Sequence, residues 1–272
     1  EQSRALCLAY VHKNLPRQNE KVFVHHWFTA RANQCLWNED RRFDALPQDT
    51  VSDNCVIFYV GAHTHGGDGV HFQQHSSLNC HIHVFEPHPE FYEELRKNWG
   101  SMKIPRATLH NYGLGDSNRI VEGVTNAGVN TFGMQSTGSG AIGVPLQIRD
   151  TREVLEQLLQ PHEQISLFHA NCEGCEWEML ETLIRSKLIQ RINVLQWSSH
   201  WFKQIRDVEK RYCDINGALS GSHVVQFQQP FGWDRWYIQT SKRKRKYWTP
   251  PKNARCSHAF AQQPDGYQCC RP

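Results

Sequence analysis

Nowhere in these 272 residues is there an apolar run approaching the ~18 positions that a membrane-crossing helix needs. Charge of one sign is missing too. Thirty Lys and Arg stand against 27 Asp and Glu, and the formal +3 is too close to neutral to argue for a nucleic-acid partner. There is no internal repeat, and none of the fifteen asparagines lies in an Asn-x-Ser/Thr sequon, so glycosylation offers no support for a secreted origin. The turn after the first strand also lacks the dinucleotide fingerprint Gly-x-Gly-x-x-Gly, its second glycine position being held by His63. What remains, with 39% apolar and 21% charged residues and a mean hydropathy of −0.63, is the profile of a globular domain long enough to bury a real core.

Cysteine, by contrast, is plentiful. Ten cysteines are spread from Cys7 to Cys270, an even count that points to several disulfides and an oxidising compartment: the secretory lumen is the expectation, the cytoplasm the alternative. Cys172 and Cys175 form a Cys-x-x-Cys pair, but no second pair at finger spacing accompanies it, so no zinc site is expected. The chain opens on Glu1 instead of Met, as a processed or trimmed chain would.

From Cys55 the pattern becomes regular. Cys55–Val60 is a continuous apolar run ending at Gly61, the reading of a strand buried on both faces. Further strands are expected at His81–Phe85, Ala107–Tyr112, Val144–Ile148, Ile165–Ala170 and Ile192–Trp197. Helices are expected at Cys7–Asn14, Pro89–Asn98, Thr151–Leu159, Glu176–Leu188 and Val208–Leu219. Residues 122–143, rich in Gly, Ser, Thr and Asn, read as a long loop. Strands alternating with helices predict an α/β fold with a doubly wound, mostly parallel sheet. The last two strands, His223–Phe227 and Trp236–Gln239, are joined too tightly for a helical crossover and must be antiparallel. The organisation expected is an amino-terminal extension over 1–54, a core over 55–240, and a tail over 241–272 whose Lys242–Lys246 run reads as a solvated edge.

In such sheets ligands bind beyond the carboxyl ends of the strands. The second strand ends in Glu86, 25 residues after Gly61, a position suited to gripping the two hydroxyls of a ribose. His63 and His65 stand where a dinucleotide's pyrophosphate would have to approach backbone amides. S-adenosylmethionine carries no phosphate, and its sulfonium favours acids; Glu86, Asp116, Glu173 and Glu176 all fall at strand ends or just beyond.

These segments resemble the FkbM-type family of class I S-adenosylmethionine-dependent methyltransferases. The family's Val-Asp-Val-Gly-Ala-Asn-x-Gly aligns with Phe58-Tyr59-Val60-Gly61-Ala62-His63-Thr64-His65, and its Phe-Glu-Pro with Phe85-Glu86-Pro87. Its Asn-x-Ala/Gly-Leu-Gly-Asp matches Asn111 to Asp116. Its Lys-Ile-Asp-Val-Glu-Gly-x-Glu matches His169 to Glu176, and its Glu-x-His matches Ser198 to His200. The likeness covers about residues 55–240. Five polar positions depart from the pattern: Tyr59, His63, His169, Asn171 and Ser198.

The resemblance implies a Rossmann-like seven-stranded sheet and S-adenosyl-L-methionine as cofactor. It implies Gly61, His63, Glu86, Asn111, Asp116 and Asn171 as the cofactor-binding residues. It implies methyl transfer to a hydroxyl acceptor, a small molecule or more specifically a sugar or glycan. His200 and His169 are the candidate bases, because imidazole titrates near neutrality and both lie at strand ends, and Glu173 is the candidate orienting acid. His63-x-His65 and His81-x-His83 are spaced like metal ligands, yet strand alternation alone makes His81 and His83 same-face neighbours, and no metal is expected. The alternative function is a degenerate fold that binds without catalysing. No nucleic acid and no transmembrane segment are expected; the acceptor's identity, the disulfide connectivity and the oligomeric state are not encoded in any motif.

Overall fold

The computed structural model describes Cys7, Leu46 and residues 55–75, 80–102, 104, 106–126, 129–131, 143–200, 205–228 and 232–240. Cys7 apart, the expected Cys7–Asn14 helix and the tail from residue 241 lie outside the described residues, as does most of the 1–54 extension. None of the described helices is long and apolar enough to cross a membrane.

The chain runs β1 (Val56–Val60), α1 (Gly67–His75), β2 (His81–Phe85), α2 (Pro89–Met102) and β3 (Ala107–His110). Then come β4 (Gly113–Gly115), β5 (Arg119–Asn126), β6 (Val129–Thr131), β7 (Gly143–Asp150), α3 (Thr151–Leu158), β8 (Leu167–Ala170) and α4 (Glu176–Arg185). It closes with β9 (Val194–Ser198), α5 (Val208–Leu219), β10 (His223–Gln228) and β11 (Trp233–Ile238). Seven strands form the main sheet in the order β10-β11-β9-β8-β1-β2-β3. β11 lies antiparallel between β9 and β10, while β9, β8, β1, β2 and β3 are mutually parallel. The doubly wound, mostly parallel sheet is therefore present, with its antiparallel pair at the carboxyl end.

β1 shows how the layers are built. All five residues are buried, and side chains alternate between faces. Phe58 and Val60 join Leu155, Trp177, Leu180 and Trp197 on the α3–α4–α5 side, whereas Ile57 and Tyr59 join Phe72, Leu95 and Trp99 on the α1–α2 side. Each helix offers the sheet one stripe: Leu95 and Trp99, four apart on α2, are its buried pair. Asp150 caps α3, its carboxylate accepting the Glu153 amide at 3.1 Å.

The segment 122–143 corrects the loop reading. β5 runs to Asn126, β6 covers Val129–Thr131 and β7 begins at Gly143, so these parts build a second sheet, order β4-β7-β5-β6, while 127–128 and 132–142 lie outside the described residues. Val144–Ile148 belongs to this sheet and not to the main one. The third strand likewise ends at His110, and Gly113–Gly115 crosses to the second sheet by pairing with Ile148–Asp150. Leu146 and Ile148, two apart on β7, and Leu114 on β4 are the buried residues this sheet turns to the core.

Three disulfides join described residues: Cys7–Cys213, Cys55–Cys80 and Cys172–Cys175. The first fastens the amino-terminal segment to α5, the second ties the entries of β1 and β2 together, and the third lies inside the turn between β8 and α4.

Candidate active site

The chain leaves β1 through Gly61, at φ +86°, and a Cβ built there would stand 2.0 Å from the Asn171 carbonyl oxygen and 2.8 Å from Cys172 Cα. Only glycine allows the turns after β1 and β8 to come so close. From Gly61 to Gly66 the loop is pinned by α2: Asn98 Nδ2 donates to the Thr64 carbonyl (2.7 Å) and Trp99 Nε1 to the His65 carbonyl (3.0 Å).

Glu86 ends β2 and is 5% exposed. Its Oε2 accepts the His63 amide at 2.8 Å and its Oε1 the His88 amide at 2.9 Å. Burial raises its pKa, and the two amides, with His63 nearby, pull it back. Each carboxylate oxygen has a second lone pair, so the group still has acceptor capacity for the vicinal hydroxyls of a ribose. Asn111 supports the turn from the other side, its Nδ2 donating to the Glu86 carbonyl at 3.0 Å. Gly61, His63, Glu86, Asn111 and Asn171 are thus linked in one cradle at the carboxyl ends of β1, β2, β3 and β8. His63 serves it through its backbone; its ring packs on Phe91, centroids 4.2 Å apart.

A second cluster adjoins the cradle through Cys172. Glu176, fully buried in the first turn of α4, accepts the Cys172 amide (2.7 Å) and the Gly174 amide (2.8 Å). His200, just beyond β9, places Nδ1 2.8 Å from Glu176 Oε1 and Nε2 3.4 Å from Glu173 Oε1. Burial alone would lower its pKa, but the carboxylates of Glu176 and Glu173 reverse this and raise it to about 10. His200 is an imidazolium at neutral pH, without a lone pair to take a proton. It is a cation that braces two acids, one buried and one with its side chain 32% exposed.

His169 and Asp116 occupy different surroundings. His169 is fully buried on the α1–α2 side of the sheet. Its Nδ1 faces the Gln196 amide nitrogen (2.9 Å) and its Nε2 faces Asp68 in the first turn of α1 (3.0 Å). Its ring lies between Tyr59, Phe72 and Trp233. The dyad anchors the end of the glycine-rich loop to the sheet. His169→Ala is expected to cost about 3 kcal/mol of stability, since it opens a cavity and takes a partner from both Asp68 and Gln196, with the denaturant midpoint as the readout. Asp116 pairs with Arg119 at 2.7 Å, and Arg119 reaches Glu178 on α4. With Asp116 half exposed, Asp116→Ala is expected to change stability by less than about 1 kcal/mol and to leave cofactor affinity in place, checked by calorimetry.

Two contributors were not legible as site residues, the His88 amide and Asp68, whereas Glu176 was legible as a strand-end acid and only its burial was not. Glu176 alone carried a signal, as an acid in the first turn of a helix that follows a Gly-containing strand end. His81 and His83 are same-face neighbours (rings 4.6 Å apart), and burial, with His81 and His110 beside it, drives His83 down to about 3.

The sheet order defines a Rossmann-like α/β protein, with Glu86 at the carboxyl ends of the strands, where such sheets take their ligands. Residues 20–216 match the methyltransferase-domain model, and the chain belongs to that family. Among solved structures it is similar to an FkbM methyltransferase from Methylobacillus flagellatus KT (12% identity, TM-score 0.47, covering 86% of this chain and 59% of that one). It is also similar to a methyltransferase from Geobacter sulfurreducens (12%, 0.43, 87% and 97%) and a Streptococcus mutans protein in complex with SAH (10%, 0.44, 74% and 97%). No curated protein matches by sequence.

Proposed function

We propose that the protein transfers a methyl group from S-adenosylmethionine to a hydroxyl of a sugar or glycan. The observation that carries this reading is Glu86, a buried carboxylate presented by two amides at the end of β2 with acceptor capacity to spare. Glu86 would hold the ribose, and the Gly61–Asn171 contact would form the floor beneath it. When bound, the cofactor supplies an electrophilic methyl on a cationic sulfur. The chain's own residues supply position, the main contribution in a displacement between two bound partners.

Glu173 is the acid placed to meet the acceptor hydroxyl, accepting its hydrogen bond and then its proton. His200 keeps Glu173 oriented and, being protonated, serves by its charge and not as the base. The departures at Tyr59 and His169 form a cross-strand pair, Tyr59 opposite His169 in the β1–β8 register. An Asp and a Lys would be cross-strand partners there, and their joint replacement by two aromatic rings leaves no orphaned charge. The fold therefore tolerates both departures together.

A labelled-methyl transfer screen over glycans and small hydroxyl compounds tests the reaction. Transfer to a glycan hydroxyl is expected; cofactor binding without transfer to any acceptor would favour the binding-only alternative. The three disulfides support an oxidising compartment such as the secretory lumen, and the intact mass of the natural protein before and after reduction checks it.

A further inference from the structure

The Cys172–Cys175 bridge differs from the other two in what it closes. It spans 3 positions, against 25 for Cys55–Cys80 and 206 for Cys7–Cys213, so it restrains the unfolded chain least and contributes least as a staple. What it does restrain is the turn bearing Glu173. Glu173 (φ +56°) and Gly174 (φ +110°) are consecutive left-handed residues, and a non-glycine side chain stays in that region only when its surroundings hold it. The bridge closes over both residues, while Glu176 takes the Cys172 and Gly174 amides from beneath. Cys172 is half-buried, whereas Cys175, Cys55 and Cys80 are each 2% exposed, so Cys172 is the sulfur of this turn that an incoming thiol can approach.

We propose that Cys172–Cys175 is a thiol–disulfide exchange site whose reactant is a dithiol, and that its state sets where Glu173 stands relative to His200. A thiolate of the dithiol attacks Cys172 Sγ, the Cys172–Cys175 bond breaks, and Cys175 leaves as a thiolate. Cys175 occupies the N-cap of α4 and its side chain makes no cap hydrogen bond there, so the departing thiolate lies at the positive end of the helix. The second thiol then closes on the mixed disulfide and releases Cys172. Two electrons and two protons end on the cysteines, and the reactant leaves as its own disulfide. With the bridge open, Glu173 relaxes from its left-handed backbone and withdraws from His200, and the turn abutting Gly61 loosens.

The consequence for the cofactor rests on the methyltransferase reading, and the test separates the two. The folded protein is treated with graded dithiothreitol and alkylated, and the peptides are mapped. Calorimetry with SAH is run on oxidised protein, on partly reduced protein and on a C172S/C175S double variant. The His200 ring is followed by NMR in each. Opening of Cys172–Cys175 before Cys55–Cys80, a lowered His200 pKa in the open form, and SAH affinity reduced about tenfold, a usual size for coupled sites, are the results expected. Opening together with or after Cys55–Cys80, or an unmoved His200 pKa, overturns the proposal. Should oxidised protein fail to bind SAH, the methyltransferase reading falls, and peptide mapping with the His200 titration still decides the exchange site.

Discussion

Glu86→Gln is expected to weaken S-adenosylmethionine binding by about 100-fold, near 3 kcal/mol, while the chain still folds. The amide side chain keeps one oxygen for one of the two turn amides and turns an NH2 toward the other, leaving one buried donor unmatched. That mismatch costs about 1–3 kcal/mol. The replaced carboxylate also loses its charge-assisted bonds to ribose, each about 1.5–3 kcal/mol in a buried setting. Glu86→Ala frees both amides and is expected to loosen the Gly61–His65 loop as well, so the glutamine variant separates binding from folding more cleanly. Calorimetry for affinity and a thermal melt for the fold, run on the same sample, check it.

The second large effect belongs to the Glu176–His200 pair. Glu176→Gln removes the charge facing a buried imidazolium and disturbs two turn amides, and about 3–5 kcal/mol of stability is expected to go with it. The wild-type protein should show the same coupling as a pH dependence. The folded His200 holds its proton up to about pH 10, whereas the unfolded chain releases it near 6.5, so the folded state is the one that binds the extra proton between these values. The contribution is complete below pH 6.5 and is lost progressively as pH rises to about 10. In Glu176→Gln the decline should be shallower, with only Glu173 left to hold the charge. Chemical denaturation at pH 6, 8 and 10 measures both slopes; parallel slopes for the two proteins would remove His200 as the group responsible.

How much of this was legible beforehand depended on which interactions shaped each segment. β1, β2 and β8 read clearly, because a strand buried on both faces must be written in continuous apolar residues, and Val56–Val60 is. Glu86 read clearly for a related reason: an acid stopping an apolar strand before a proline is conspicuous. The second sheet did not, because the few apolar residues of β5 and β6 (Ile120, Val121, Val124 and Val129) are followed by a stretch whose Gly, Ser, Thr and Asn give it the composition of a loop. His169 looked reactive at a strand end, yet the α1–α2 face that buries it is assembled from Asp68, Phe72 and Trp233, which lie 101, 97 and 64 positions away. His200 was visible as a strand-end histidine, but its protonation follows from Glu173 and Glu176, supplied by a different strand–helix turn. Single residues carried the location of the site; the charge states within it required the register between β1, β8 and β9.

Titration of the oxidised chain with S-adenosylmethionine by calorimetry, alongside Glu86→Gln, tests the central claim most directly. One-to-one binding that is lost in the variant, whose melt remains cooperative, is the expected outcome. Absence of binding to the unaltered protein, or equal affinity in both, would contradict a ribose held by Glu86.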